Sequence, residues 1–469
     1  MTLAPGADLP TLLRRTAEHI GAYRAGLPGA RVYPTATLEQ IQAGFEGPLP
    51  LEPTPAEQVL DRLVAAATPG LVASAGPRYF GFVVGGSLPA ATCADLLATG
   101  WDQVAFNAVS SPAAAAAEET AGAWLAELLG LPAGVSVGFV TGGQAANTVA
   151  LAAARHHVLA QAGWDVERDG LQASPRVRVL AGAERHATID RALRLLGLGT
   201  AALTAVPATG TGAIDVDALA VTLEEIGPGP TVVCLQAGNV NTGAFDELGR
   251  AIDIAHRHGA WVHVDGAFGL WAAANPATRH LVDGLERADS WACDGHKWLN
   301  VPYDSGYTFC AHPSSHAAAM SFTAAYLTGQ GSTGLRHPSD YVPESSRRAR
   351  GFATWGGLLE LGSSGVARLV ENGCALARRF AAGLSEQAGV EVVNDVVLNQ
   401  VLVDFGSPQR TDAVVAAVQR EGTCWLGATT WQGRRLMRIS VSGHATTEAD
   451  VDASVAAILA AARAEPTVR

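Results

Sequence analysis

The chain has 469 residues, 48% of them apolar and 16% charged, with a formal net charge of −12. That length exceeds one small core and predicts two or three domains or subdomains of a well-buried globular enzyme. The acidic balance, with no basic run beyond Arg347-Arg348-Ala349-Arg350, excludes a nucleic-acid footprint, and no stretch of ~18 uninterrupted apolar residues is present to cross a membrane.

Pro10 to Ala25 reads as a short amphipathic helix, followed by irregular Pro- and Gly-containing chain to about Thr54. An arm of this kind has little core of its own and is expected to pack on something else, such as a partner subunit. Ala113–Leu129 is a strong helix former, closed by Gly130 with Pro132 just beyond. Short β-branched runs then alternate with helical stretches, giving expected strands at Val137–Val140, Val177–Leu180, Thr231–Gln236, Trp261–Val264, Ser290–Cys293 and Gly306–Cys310. Such alternation predicts an α/β fold with a mostly parallel sheet covered by helices. The last third predicts a helix at Val366–Ala388, strands near Val392 and Gln400–Asp404, a helix at Asp412–Glu421 and a strand at Leu436–Val441, a small α+β unit. The expected division is an arm at 1–75, a large domain at 76–360 and a small C-terminal domain at 361–469. Six cysteines without a C-x-x-C pair fit reduced thiols and a cytoplasmic location.

One residue departs from the chain's own habit. Lys297 is the only lysine, and every other member of the 32 Lys and Arg residues is arginine. Arginine replaces lysine in surface charge and ion pairs, but it does not give up its proton to become an amine that attacks a carbonyl. Compositional drift with one survivor explains the count equally well, so the neighbouring loops decide. In open α/β sheets ligands sit beyond the carboxyl ends of the strands. After Val137–Val140 comes Thr141-Gly142-Gly143-Gln144, opening a helix whose first N–H groups suit an anion such as phosphate. A Gly pair here also fits an ordinary tight turn. His186 follows the next strand, where a histidine is as often a capping or core residue as a functional one. Leu235 to Gly243, including Asn239, is a further polar loop after a strand. Asp265 ends the strand Trp261–Val264 and is followed by small residues including Ala267, and His296-Lys297 follows Ser290–Cys293. Asp265 and Lys297 are 32 residues apart, enough for one crossover between neighbouring parallel strands. A carboxylate, an amine, a Gly-rich anion loop and a histidine able to stack, in this order, match what pyridoxal 5'-phosphate requires. No metal is expected.

The chain resembles the group II pyridoxal-phosphate-dependent amino acid decarboxylases, the family of aromatic-L-amino-acid and tyrosine decarboxylases. The resemblance runs from about residue 8 to about 460. It rests on Pro77-Arg78-Tyr79-Phe80-Gly81-Phe82, Gly86-Ser87-Leu88-Pro89, His186 with Asp190-Arg191-Ala192, His263-Val264-Asp265 with Ala267, His296-Lys297-Trp298, and Leu436-Met437-Arg438-Ile439-Ser440. It implies fold type I, the aspartate-aminotransferase-like architecture, and a homodimer with active sites at the subunit interface. It further implies Lys297 as the Schiff-base lysine, Asp265 as the partner of the pyridine nitrogen and His186 as the ring-stacking histidine. Gly142, Gly143, Gln144, Asn239, Ala267 and His296 would complete the cofactor site. Asp294 stands where many members carry asparagine near the phosphate.

The expected activity is decarboxylation of an L-amino acid, aromatic in class, to the amine and CO2. The alternative is decarboxylative oxidation to an aldehyde, or a transaminase- or aldolase-like outcome on the same fold. By the resemblance, a tyrosine on a mobile loop between about residues 325 and 348 returns a proton to Cα. Tyr341 is the first choice for it and Tyr326 the second. Phe82, Val84 and Trp101 are the expected substrate contacts, with Phe106 as a further apolar wall. Gly81 and Val84 stand where the aromatic decarboxylases carry a larger aromatic residue and a threonine.

Overall fold

The computed structural model describes residues 6–322 and 336–465. The apolar runs between residues 136 and 310 build one seven-stranded sheet: β1 (Ser136–Val140), β2 (Arg178–Gly182), β3 (Leu203–Val206), β4 (Thr231–Gln236), β5 (Trp261–Asp265), β6 (Ser290–Asp294) and β7 (Gly306–Cys310). Their order is β1-β7-β6-β5-β4-β2-β3. Only β7 runs against the others, pairing antiparallel with β1 and with β6. The carboxyl ends of β1, β2, β4, β5 and β6 therefore share one edge of the sheet, and five loops open there together. Complete burial of β1, β5, β6 and β7 matches their mostly apolar composition. The six strands expected from sequence in this sheet are present. Edge strand β3 lacks that signal, because Thr204 and Ala205 at its centre are exposed.

A second sheet lies in the C-terminal part, with β8 (Glu391–Val392), β9 (Gln400–Asp404), β10 (Gly427–Trp431) and β11 (Arg434–Ser440) in the order β10-β11-β9-β8, all antiparallel. It has a core of its own around Phe380, Val403, Val418, Met437 and Ile439. The period of two along β11 buries Met437 and Ile439 there and turns Arg438 to the opposite face, toward the large sheet.

Two helices depart from expectation. The long helix Gly351–Ser385 begins fifteen residues before the expected Val366, and it bends at Gly362. Its first turns contain Gly356 and Gly357, which argue against a helix by propensity. They serve tertiary packing instead, since a Cβ on Gly356 would lie 3.2 Å from Ala94 Cβ in the helix Pro89–Trp101. In the N-terminal stretch expected to be irregular, Leu38–Phe45 is a helix, started by a reciprocal capping box between Thr37 and Gln40. Among the described residues, no helix is long and apolar enough to cross a membrane.

The edge opposite the loops is tied by Asp289. Its carboxylate accepts from His312 Nε2 (2.7 Å), His256 Nε2 (3.0 Å) and the Val262 N–H at the start of β5 (2.7 Å). Burial works to raise Asp289, but hydrogen bonds from His256, His312 and Val262 outweigh it and bring it to about 2. The same Asp289 bond raises His256 above the usual histidine value, against its partial burial. The raised His256 stabilises the fold fully below its unfolded value and loses that contribution as pH rises through the folded one. The depressed Asp289 contributes above about pH 4 and is lost as pH falls toward 2. Wild type should therefore exceed His256→Gln in Tm more at about pH 5.5 than at about pH 8.5, by an amount worth ~1 kcal/mol or less for this half-exposed pair. Thermal melts at the two pH values check the sign.

Candidate active site

The five loops enclose a cavity of about 420 Å³ at the carboxyl edge of the large sheet. Its floor begins where β1 ends. Thr141 and Gly142 turn directly into the helix Gly143–Gln161, whose first N–H groups have no partner one turn earlier. A Cβ on Gly142 would come within 2.8 Å of His296 Cε1, so only bare backbone fits this cradle. The Gly143 N–H donates to Asp294 Oδ1 (2.5 Å). Gln144 Nε2 donates to the Thr188 carbonyl (3.2 Å), bracing the cradle against the loop after β2.

Asp265 closes β5 and is 6% exposed. Its Oδ2 accepts from Asn147 Nδ2 (3.0 Å) and Thr188 Oγ1 (3.4 Å), and its Oδ1 accepts from the Ala267 N–H (3.3 Å). Behind it stands a relay. His263 Nε2 lies 2.9 Å from Asn147 Oδ1, His263 Nδ1 lies 3.0 Å from Ser290 Oγ, and Trp261 Nε1 donates to Ser290 Oγ (2.9 Å). Burial lowers His263 to about 4, against the pull of Asp265, so the imidazole is neutral. The one consistent assignment has Ser290 donating to Nδ1, and Nε2 donating to Asn147, whose amide hydrogens then point at Asp265. Asn147 sits one helical turn after Gly143, on the same face, a spacing that would have marked it in the sequence.

Lys297 lies on the loop after β6, the strand next to β5, so the expected juxtaposition with Asp265 at neighbouring strand ends holds. Its Nζ is 2.9 Å from Asp294 Oδ2, and the Asp294 side chain is 3% exposed. His296 accepts from the Ser305 N–H at Nδ1 (3.1 Å) and stacks on Tyr303, with ring centroids 4.3 Å apart. Its pKa is lowered by burial, with Lys297 adding to that effect and Asp294 opposing it. His186 caps the helix Ala187–Leu195, accepting the Thr188 N–H at Nδ1 (3.3 Å), and faces the cavity. Partial burial of the ring lowers its pKa. Asp265 opposes that shift, and Lys297 and Arg438 add to it. Arg438 reaches the cavity from β11 and donates to the Val240 carbonyl (3.2 Å). Burial lowers its pKa too, and among the described residues it has no carboxylate partner within 4.0 Å.

Lys297, Asp265, His186, Gly142, Gly143, Gln144, Ala267 and His296 thus line one cavity together with Phe82. Five expected residues do not. Asn239 is 1% exposed and spends its amide on the loop, accepting from the Asn241 and Thr242 N–H groups and donating to the Glu184 carbonyl. Val84 turns away because Phe82 and Val83 both adopt left-handed φ values, 52° and 57°, which put Val83 beside Phe82 in the cavity wall. Trp101 ends its helix outside the cavity, edge-on to Phe352 at 5.4 Å, and Phe106 stacks on Phe322 at 6.4 Å. Tyr341 belongs to a short 3-10 turn whose carbonyl accepts from His316 Nε2. Its ring packs against His316 and under Arg336, lining a separate groove with Leu131 and Pro313. Tyr326 lies outside the described residues. Asn147, Thr188, Gln236 and Arg438 line the cavity without having been singled out from the sequence.

The donor set fits pyridoxal 5'-phosphate. Bare backbone at a helix start suits a phosphate, a braced buried carboxylate suits a ring N–H, and a primary amine between them suits an aldehyde. One feature works against the phosphate: the Asp294 carboxylate is bonded to the same cradle. Asp294→Asn keeps volume and an acceptor for Gly143 while removing that charge, and should tighten cofactor binding about tenfold. A fluorescence titration of the cofactor-free protein with pyridoxal 5'-phosphate measures it. Unchanged or weaker binding would mean that the pairing with Lys297 outweighs the repulsion.

Comparison with known proteins agrees with this geometry. The model of the pyridoxal-dependent decarboxylase conserved domain matches residues 39–405. Tryptophan decarboxylase 1 of Oryza sativa subsp. japonica is 29% identical over 386 residues, which cover 78% of this chain and 73% of that protein. A phenylacetaldehyde synthase of Arabidopsis thaliana is 27% identical over 441 residues, covering 88% of each. Among solved structures, that of Oryza sativa TDC with PLP and tryptamine superposes with a TM-score of 0.91 at 24% identity, covering 99% of both chains. Mouse CSAD superposes at 0.88 and 22% identity, covering 97% of this chain and 99% of that one.

Proposed function

This chain belongs to the pyridoxal-dependent decarboxylase family, and from that premise we propose that it decarboxylates an aromatic L-amino acid, releasing CO2 and the amine. It is a pyridoxal-phosphate-dependent carboxy-lyase of fold type I. The observation that carries the site assignment is the placement of Lys297 and Asp265 at the ends of adjacent strands, over the bare backbone of Gly142 and Gly143.

When bound, the cofactor supplies an aldehyde for the substrate amine and an electron-poor ring that takes up the electron pair left as CO2 departs. The chain's residues do the rest. Lys297 offers the one ε-amine of the chain and would hold the cofactor through it. Asp265 keeps a proton on the ring nitrogen, and the relay through Asn147 and His263 holds the carboxylate in position. The backbone at the start of the helix, at Gly143 and Gln144, would hold the phosphate, with His296 beside it. His186 and Ala267, which both line the cavity, would flank the cofactor ring. Arg438, a cation in the cavity with no carboxylate partner among the described residues, would attract the substrate's carboxylate. Phe82 and Val83 form the apolar wall for the side chain.

The fate of the Cα proton decides between two outcomes. Tyr341 lies outside this cavity of its own chain, and two kinds of relative that the chain matches are decarboxylases and phenylacetaldehyde synthases. We therefore keep aldehyde formation as the second reading. Incubation with single L-amino acids, measuring CO2, amine, aldehyde and peroxide, separates the two. CO2 with equimolar amine is the expected result, and aldehyde with peroxide in place of amine overturns it.

A homodimer is part of this proposal. None of the helices Leu9–Gly26, Leu38–Phe45 and Ala56–Ala67 has a buried residue, and Leu9, Leu13, Leu38, Phe45, Val59 and Leu63 are all more than half exposed. Such apolar faces support an arm at 1–75 that packs on a second copy. Separate cores around the two sheets support a large domain at 76–360 and a small one at 361–469. Six free cysteines support a cytoplasmic setting.

A further inference from the structure

A row of aromatic rings runs from the N-terminal arm to the cavity mouth, and its central member comes from the small sheet's side of the molecule. Trp425 stacks on Tyr79 with centroids 5.0 Å apart and planes within 4°, and on Tyr33 at 6.3 Å. Its backbone is tied to the same segment, because Phe80 N–H donates to the Trp425 carbonyl (2.7 Å) and Trp425 N–H donates to the Arg78 carbonyl (3.1 Å). The indole then meets Phe82, centroids 5.3 Å apart and tilted by 32°. Phe82 lines the cavity and is 66% exposed.

Gly81 makes this arrangement possible. A Cβ built there would lie 2.0 Å and 2.5 Å from two atoms of the Trp425 ring, closer than any real contact. The indole therefore occupies the space that a side chain at position 81 would take. The next two residues, Phe82 and Val83, hold left-handed φ values of 52° and 57°, costly for residues with a Cβ. The turn is held on its far side by the Gly86 N–H donating to Asn300 Oδ1 (2.5 Å), and on its near side by the Phe82 contact with Trp425.

We propose that Trp425 is a specificity-determining positioning residue, which holds the Phe82 ring as the face that selects a flat aromatic substrate side chain. Gly81 is the condition for it, since residue 81 and Trp425 compete for one volume. The substrate class rests on the reading given under Proposed function. The positioning role does not need turnover to be seen. An aromatic ring offset on Phe82 gains attraction beyond its buried area, whereas a branched aliphatic chain of similar size gains burial alone.

The test uses the holoenzyme and two carboxylate probes that lack the amine, 3-phenylpropanoate and 4-methylpentanoate, with binding read from the cofactor's absorbance. Wild type should prefer the aromatic probe by about tenfold. Trp425→Ala should remove that preference, Trp425→Phe should restore most of it, and Gly81→Ala should imitate Trp425→Ala by displacing the indole. The cofactor spectrum should stay unchanged in all three variants. With aromatic L-amino acids, Trp425→Ala should raise KM while leaving kcat nearly as it was. An unaltered preference in Trp425→Ala, or an equal loss for both probes, would overturn the proposal. Absence of CO2 from every aromatic L-amino acid, with the probe preference and its loss intact, would instead overturn the assigned reaction alone.

Discussion

Lys297→Arg is expected to abolish covalent capture of the cofactor and to lower decarboxylation by at least ~10³-fold, with the fold retained. Arginine is the substitution that isolates the chemistry. It keeps a cation beside Asp294, whose side chain is 3% exposed and lies 2.9 Å from the Lys297 amine, so the buried carboxylate does not lose its counter-charge. It removes only the ability to shed a proton and attack a carbonyl. Lys297→Ala should be as inactive but should melt at a lower temperature than Lys297→Arg, because it leaves that carboxylate unpaired. Borohydride reduction of the wild-type holoenzyme followed by peptide mass spectrometry should find one pyridoxyl group per subunit, on Lys297, since the chain has no second ε-amine. Label retained in Lys297→Arg would refute the assignment.

The second large effect belongs to Asp265. Asp265→Asn should cut kcat by about 10²–10³-fold while the cofactor still attaches to Lys297. The amide keeps the size of the carboxylate and an oxygen for Asn147 and Thr188, but it carries no charge to hold a proton on the ring nitrogen. The neutral His263 behind Asn147 does not replace that charge, because burial holds it at about 4. Single-turnover kinetics would place the loss in the chemical step, and the absorbance band of bound cofactor would show attachment intact. A kcat within threefold of wild type would mean that the electron-poor ring is not what limits the reaction.

Much of the site was legible because its chemistry is concentrated at strand ends. Burial on both faces makes β1, β5, β6 and β7 mostly apolar, so the polar residues at and beyond their ends stand out, and Asp265, His296 and Lys297 were placed from that contrast. Asn147 and Thr188 were passed over because each lies within or at the start of a helix, where a lone polar residue carries no mark of what it faces. Arg438 was read as part of a strand motif, and only its alternation with Met437 and Ile439 gives it a direction. Asn239 was overestimated for the opposite reason. It sits in a polar loop after a strand like the residues that line the cavity, yet its amide is used up by its own loop and by the Glu184 carbonyl.

The sequence by itself determined the order of the chemistry: one amine in the whole chain, a carboxylate 32 residues before it, and a glycine pair opening a helix. These are local facts of residue type and spacing, and side-chain chemistry and strand periodicity are enough to read them. The tertiary structure decided what those groups are pressed against. It set Asp294 on the same cradle as Gly143, packed Tyr341 away with His316, and filled the space at Gly81 with Trp425, 344 residues further along the chain. Each is a contact between segments far apart in sequence, fixed by packing volume and by competition for the same donors, and such terms have no local signature to read.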